Sequence, residues 1–471
     1  VNEQPKLKDD NISLHLVEST SPQTPVPFWQ KALRKLMSPL FVLQIFVVAL
    51  TFLKEVSLTS VFGLSLFMDA YVLVNNVLIF TRSYFEQLGY GALIPVYSSL
   101  ALDDTTKEET GNLPPTITAQ QQELLLVVFN YMMLFTGGIS ALIIWQHRWV
   151  SWLMAPTWSG ERLEYLLLLV MVVLPCCLLF QMAEMLRTIS VQEKRFVLYQ
   201  LPRILSLALF IGGFFLLHPA LKTGALLIAL PVSQLAELVM YALCLGIRWR
   251  WQWQTPLLPP FLSKLAPVSM TWVIFSLSML VDNFFLSFLP SGEPSAFRYA
   301  YVSILIAASL TVVNLQLENV SAINVACLQG HLARMRQLLK ETGLQVTLWS
   351  LPLIAGSIVL APWLIKIVFQ RGAFTASNTL MVAQCFQILI LMLPYSALWR
   401  VISNCYYTLN LVRPLFVMGL IVTLFRVGME WLGLHLWGMP GIAWMVLGNS
   451  YLLLGVLLLF LFRLREGENR A

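Results

Sequence analysis

The residues of this chain that could do chemistry are charged side chains set inside stretches otherwise too apolar for water. Lys54 and Glu55 stand about two-thirds of the way along an apolar run, in VVALTFLKEVSLTSVFG (47–63). Asp69 opens a second run, DAYVLVNNVLIFTRSYFEQLGYGALIPVY (69–97), which continues through Asn75, Asn76, Arg82 and Glu86. Further along, Arg187, Arg203, Glu237, Asp282, Arg298, Glu318, Arg400, Arg426 and Glu430 are similarly placed. A charge at mid-depth in a bilayer costs a few kcal/mol or more unless it faces a polar cavity or a partner. Lysine and arginine donate charge-assisted hydrogen bonds to phosphate oxygens. Lys54, Arg82, Arg203 and Arg298 are therefore the candidate contacts to an anionic substrate such as a phosphate or diphosphate. Glu55, Asp69, Glu86 and Asp282 are candidates for tuning those cations or for coupling to an ion.

Each group also has a purely architectural reading. Arg82 and Glu86 are four residues apart and would pair on one helical face, as would Arg426 and Glu430. Lys54-Glu55 would serve as an internal salt bridge between helices, although adjacent helical positions point ~100° apart. Arg187 and Arg298 fall near expected interfaces, where long side chains snorkel.

These residues must be positioned by membrane-spanning helices. Mean hydropathy is +0.74, with 58% hydrophobic and 11% charged residues, which excludes a soluble globular protein. A hydrocarbon core of roughly 30 Å needs about 20 apolar residues per helix. Twelve such stretches are read here, near 39–61, 66–97, 124–146, 163–187, 196–217, 223–247, 262–289, 297–325, 344–369, 379–408, 414–436 and 440–463. The fold class is an all-α polytopic membrane protein, with about twelve transmembrane helices in two six-helix lobes around a central cavity. Residues 1–38 read as a disordered cytoplasmic tail, 39–247 as the first lobe, 248–261 as the inter-lobe linker, 262–463 as the second lobe and 464–471 as a cytoplasmic tail. The linker, RWRWQWQTPLLPPF, has the Arg/Trp composition of a membrane interface. Gly89, Gly91 and Pro95 predict a bent end to the second helix, and 328–343 reads as a basic amphipathic stretch lying along the cytoplasmic surface.

Net charge is +6, and its distribution fixes the expected topology. Lys31, Arg34 and Lys35 precede the first helix, while Lys194, Arg195, Arg248, Arg250, Arg334, Arg336 and Lys340 fall in alternate breaks, so both termini are expected in the cytoplasm. Basic charge here concerns topology and lipid contact, with no nucleic-acid implication. The six cysteines lie in or beside apolar segments and read as small hydrophobes, and five scattered histidines form no metal motif. No cofactor is expected.

Two stretches point to a family. The 69–97 run is similar to the second-helix signature of the MurJ/MviN lipid II flippases, in which an Asp-Ala-Phe start leads to an Arg-containing middle and a Gly-Ala…Val-Pro end. FQRGAFTASNT (369–379) resembles the family's Phe-x-x-Gly-x-Phe-Thr-Ala stretch, and FLPSGEPSAFRYA (288–300) and RVISNCYYTLNLVRP (400–414) are weaker matches. Together the resemblance spans roughly 45–463. It implies the two-lobe fold of the multidrug/oligosaccharidyl-lipid/polysaccharide exporters, and alternating-access flipping of an undecaprenyl-diphosphate-linked saccharide across the bacterial cytoplasmic membrane. Lys54 stands where the family usually has a cavity arginine, while Asp69 and Arg82 match its Asp and Arg. A first-helix arginine of the family falls close to Val48, and its eighth-helix Asp-Arg pair falls on Tyr301-Val302, with Arg298 nearby. Family members usually carry fourteen helices, against the twelve read here.

The leading expectation is thus a lipid II flippase working as a monomer, in contact with membrane lipids and biased by the membrane potential or a monovalent cation. A potential of ~100 mV acts on each transferred charge with about 2.3 kcal/mol. The alternatives are a flippase for another lipid-linked oligosaccharide (exopolysaccharide or O-antigen) and a non-transporting scaffold descended from the family. An enzyme is not expected, because the external breaks are short and hold no acid/base or metal constellation.

Overall fold

In lipid every backbone polar group must be satisfied within the protein, which leaves helices for a chain of this composition. In the computed structural model every regular element among the described residues is helical. The structure describes residues 39–94, 96–97, 119–192, 196–247, 249–409 and 411–464. The expected tails at 1–38 and 465–471, most of the 101–120 loop, and the side chains of Glu318 and Arg400 lie outside the described residues.

The helices are α1 (Pro39–Phe62), α2 (Leu66–Leu88), α3 (Ala119–Trp145), α4 (His147–Met154), α5 (Gly160–Phe180), α6 (Ala183–Gln192), α7 (Phe196–Leu221) and α8 (Gly224–Cys244), followed by α9 (Leu258–Leu286), α10 (Glu293–Leu328), α11 (Leu332–Phe369), α12 (Ala376–Leu389), α13 (Leu393–Thr408) and α14 (Val412–Arg463). Eight helical stretches are long and apolar enough to cross a membrane on their own. The longest, α14, holds two passes: Gly438 at φ 62° breaks it, and Gly433 returns against the backbone of Gly441. The positive φ is a conformation that side chains with a Cβ adopt only with strain. α2, α9 and α10, helices of 23, 29 and 36 residues, carry Asp69, Asn76, Arg82, Asp282, Asn283 and Arg298 and pack against neighbouring helices; they are counted as three further passes. Counted this way, the described residues make the twelve passes expected.

α1 packs on α7, α7 on α8, and α5 on α2, α3 and α8, which forms one lobe. In the other, α10 packs on α11, α12 and α13, and α9 packs along α14. The lobes meet where α2 lies against α9 and α10, and where α1 touches α10 and α11. α2 stands at this seam. Ser65 caps its start by accepting from the Met68 N–H, and a π-turn over Gly89–Leu93 supplies the bend that its glycines predict.

One expectation needs refinement and one needs correction. The fourth span stands as one stretch from Gly160 to Ser190, with a turn at Gln181–Met182 that divides it into α5 and α6. Residues 328–343 do not form a separate surface helix. From Leu332 they are the first turns of α11, and Leu332, Met335 and Leu339, at helical spacing, are buried in the cluster of Val401, Ile402, Cys405 and Leu457. A protein face, and not lipid, takes up the amphipathic stripe.

Candidate functional site

α6, α7 and α1 of the first lobe and α10 of the second enclose a cavity of about 320 Å³. Its wall includes Gln44, Thr51 and Glu55 from α1, Arg187 from α6, Tyr199, Gln200 and Arg203 from α7, and Arg298 and Val302 from α10. Charged groups reach it because each stands on a helical face that another helix shields from lipid.

Behind the wall is a compact network of three arginines and three glutamates. Glu184, at the start of α6, is its centre and is almost fully buried. It pairs with Arg82 of α2, with Arg187 Nε at 3.2 Å and with Arg203 Nη1 at 3.5 Å. Arg82 also reaches Glu237 of α8 at 3.3 Å, and Arg187 reaches Glu86 at 3.2 Å and donates to the Tyr199 hydroxyl at 2.9 Å. The expected Arg82–Glu86 pair is therefore not formed. Each takes a partner on another helix, because the inward face of α2 meets α6 and α8. Arg187 does not snorkel; it lines the cavity.

Lys54, Glu55 and Arg298 differ from this network: among the described residues none of them makes an ion pair. Lys54 Nζ lies 5.4 Å from the ring centroid of Phe210 and 6.0 Å from that of Tyr71, a cation–π setting. Glu55 is buried in the cavity wall, and Arg298 is buried with its Nε unpartnered. Lys54 and Glu55 do not form the internal salt bridge. Counting all of these groups, five cations face four carboxylates, so the cationic excess expected from the sequence comes down to a single charge. Val48, close to which the resemblance puts a first-helix arginine, and Val302, on which it puts the arginine of an Asp-Arg pair, are both in the cavity wall.

Asp69 is placed elsewhere. Fully buried, it accepts from Arg162 Nη2 at 2.8 Å, from the Gly292 N–H at 2.8 Å, and from the Ser295 N–H and hydroxyl at 3.2 and 2.6 Å. These are orphan donors at the start of α10, so Asp69 caps a helix of the opposite lobe. Around it the lobes are joined through backbone: Trp158 Nε1 donates to Ser287 O at 2.6 Å, Arg162 Nη1 to Leu289 O at 3.1 Å and Ala373 N to Ser60 O at 2.8 Å. Gly372, at φ 56°, is the one residue that fits beside Ser60, because a Cβ there would collide with the Ser60 carbonyl oxygen. This is what the FQRGAFT stretch does: it closes the end of the molecule where α1 stops.

Asp282 is also outside the cavity. It pairs with Arg426 at 2.5 Å, and Arg426 Nε holds Glu430 at 2.5 Å, so the expected Arg426–Glu430 pair exists as part of a triad between α9 and α14. One residue later, Asn283 accepts from Asn76 at 2.6 Å and donates to Leu73 O at 3.2 Å across the lobe seam. Glu184 is the functional candidate that sequence reading missed; its signal was the Glu184/Arg187 spacing of three, just after the break in the fourth span. Among the described residues no group of three or more His, Cys, Asp or Glu side chains could hold a metal ion.

A family model described as Lipid II flippase MurJ matches residues 58–468. A protein of Bdellovibrio bacteriovorus described as "Probable lipid II flippase MurJ" is 25% identical over 190 residues, which cover 39% of this chain and 36% of that one. The aligned stretch thus spans about a third of that relative's length. Among solved structures, one titled "Lipid II flippase MurJ, inward closed conformation" superposes with a TM-score of 0.73 at 20% identity, over 90% of this chain and 87% of that one. An inward-facing multidrug resistance MATE family transporter of the MOP superfamily gives 0.66 at 14% identity, over 88% of this chain and 94% of that one. These likenesses show the two-lobe transporter fold. With the family match running from the end of α1 to beyond α14, this multi-pass membrane protein belongs to the MurJ family of lipid II flippases.

Proposed function

We propose that the chain carries an undecaprenyl-diphosphate-linked saccharide, lipid II in the first instance, across the bacterial cytoplasmic membrane by alternating access of its two lobes. The observation that supports this most is the cavity wall, in which Arg187 and Arg203 of one lobe and Arg298 of the other converge on a single space. A diphosphate there would bridge the lobes. Arg203 holds its carboxylate at 3.5 Å, the longest contact in the network, and Arg298 has no carboxylate among the described residues. These two are the first donors for the phosphate oxygens, with Lys54 in reserve behind its aromatic rings. Headgroup sugars would occupy the rest of the cavity and the polyprenyl chain would stay in lipid.

The lobes in this reading are 39–247 and 262–463. With both termini cytoplasmic, the joined end formed by Ser60–Gly63, Asp69, Trp158, Arg162 and the 287–295 and 369–375 segments is external, and the cavity faces the cytoplasm. The cycle would be biased by the membrane potential or by a cation, and a monomer contains the whole path. A second reading, a flippase for a different lipid-linked oligosaccharide, is favoured by one specific observation. Val48 and Val302 are in the cavity wall close to or at the positions where the resemblance puts family arginines, so the headgroup contacts would differ from the family's usual set.

The test is complementation in a bacterium depleted of its own lipid II flippase, with membrane expression matched across variants. Rescue by the wild type and loss of rescue in Arg203→Ala and Arg298→Ala support lipid II flipping through this cavity. Rescue by all three removes these cations from the mechanism. Failure of the well-expressed wild type moves the assignment to another polyprenyl-linked glycan.

A further inference from the structure

Beside its arginines, the cavity wall holds a pair of carboxamides that the charge network does not use. Gln44 and Gln200 stand in the second turns of α1 and α7, and both line the cavity. Gln200 Nε2 donates to Gln44 Oε1 at 2.5 Å. Gln44 is exposed, whereas Gln200 is 1% exposed. Their bond uses one half of each amide. Gln200 Oε1 is enclosed and accepts no hydrogen bond, and Gln44 Nε2 has no acceptor among the described residues. Asn76, Asn130, Gln234 and Asn449 also carry an unpartnered amide oxygen, but none of them lines the cavity. A mere clamp between α1 and α7 has no use for such an atom. The two helices already pack together, and a buried acceptor without a donor costs more than one neutral bond returns.

The spare oxygen can take one N–H and the spare nitrogen can give to one carbonyl, which is the complement of a secondary amide. Position narrows the choice. Gln200 and Arg203 are three residues apart and are neighbours on one face of α7. A ligand with a phosphate on Arg203 would therefore meet Gln200 with a group close to that phosphate. In an acetamido sugar linked to diphosphate through its anomeric carbon, the amide is on the adjacent carbon. A peptide amide farther along a headgroup is not so placed. We propose that Gln44 and Gln200 form the subsite for the acetamido group of the sugar next to the diphosphate. The sugar N–H donates to Gln200 Oε1, and the acetyl carbonyl accepts from Gln44 Nε2. Gln200 is the fixed half of this subsite and Gln44 the half that turns onto the ligand. The assignment rests on the reading of the cavity as a site for a diphosphate-linked saccharide.

The experiment is calorimetric titration of the full chain in lipid nanodiscs, with empty nanodiscs as reference. Three probes share a geranyl diphosphate and differ in the sugar: N-acetylglucosamine, glucose, and glucose bearing an acetylated dipeptide. Wild type is expected to bind the N-acetylglucosamine probe about tenfold more tightly than the glucose probe, since a hydroxyl is too short to meet both glutamines. Gln200→Leu and Gln44→Leu should each erase that preference. Gln44 is exposed, so its variant keeps the test valid should the buried Gln200→Leu fail to fold. Equal binding of the first two probes by wild type would overturn the subsite and leave the diphosphate site standing. A preference that survives in a folded variant would overturn it too, as would tighter binding of the dipeptide probe alone. Absence of binding by all three would overturn both the subsite and the reading of the cavity beneath it.

Discussion

Replacing Asp69 with Asn should open the end of the molecule that this carboxylate holds shut. Asp69 accepts four hydrogen bonds, one from a guanidinium and three from the start of α10, and is fully buried. Asparagine keeps the shape but loses the charge, and its amide hydrogens point at donors. Removing one partner of a buried ion pair costs about 3–5 kcal/mol. Arg162 keeps some solvent contact, with its side chain 13% exposed, so the lower figure applies. About 3 kcal/mol is roughly a hundredfold in an equilibrium constant. The remaining backbone bonds, Trp158 to Ser287 and Ala373 to Ser60, are untouched. The expected outcome is a folded protein whose joined end is open far more of the time. Spin labels at Arg148 and Arg371, which are exposed and on different lobes, would report it as a distance distribution moved outward and broadened relative to wild type. Arg162→Ala, which leaves the three contacts to α10, should move it less. An Asp69→Asn distribution that superposes on wild type would refute the view that this carboxylate joins the lobes.

Other outcomes follow from the same geometry. Gly372→Ala should abolish complementation at unchanged expression of the first lobe's epitopes, since it combines a positive φ with a collision at Ser60. Glu184→Gln should lower the thermal stability of purified protein more than Arg203→Ala does, by about 3–5 kcal/mol, because it leaves Arg203 without a carboxylate and takes one of two from Arg82 and from Arg187, whereas the alanine leaves Glu184 with both Arg82 and Arg187. Asn76→Leu should leave Asn283 without its donor across the seam and cost about 1–3 kcal/mol, read as a lower melting temperature.

How much of this was legible in the sequence divides along a physical line. The twelve passes were legible because each must supply about 20 apolar residues to cross the hydrocarbon, and no tertiary contact relaxes that requirement. The bent end of α2 was legible in Gly89 and Gly91 for a similarly local reason. Partners were not legible. Arg82 lies 155 residues from Glu237, and the tempting local choice, Glu86 at i+4, loses to it because the inward face of α2 meets α6 and α8. Asp69 looked like a cavity acid for the same reason: only the fold shows that the orphan N–H groups of α10 arrive beside it. Glu184 was overlooked because it follows a break in its span and reads as a helix end near the interface. The stretch after Leu332 looked like a surface helix because its apolar stripe was visible, while the helices that cover it were not.

The balance of charge around the cavity bears on how a phosphate could be both held and let go. Three arginines already satisfied by three glutamates can stay buried while the cavity is empty, which unpaired cations could not do at comparable cost. In the proposed cycle an arriving anion would compete with Glu184 for Arg203, where the existing contact is longest, and would not meet a bare field. The released carboxylate is still held by Arg82 and Arg187, so binding needs no new countercharge, and departure of the anion restores the pair. Such an exchange favours turnover over tight binding. It also separates the roles of the cations in the proposed cycle: Arg82, between Glu184 and Glu237, holds helices, Arg203 would exchange Glu184 for the anion, and Arg298 has no carboxylate among the described residues to give up. Lysine at position 203 would keep the charge but not the planar fork that can hold Glu184 and a phosphate in turn. Arg203→Lys is therefore expected to insert and fold as wild type does and to fall well below it in complementation. Full activity in that variant would show that charge alone suffices and that the exchange of partners plays no part.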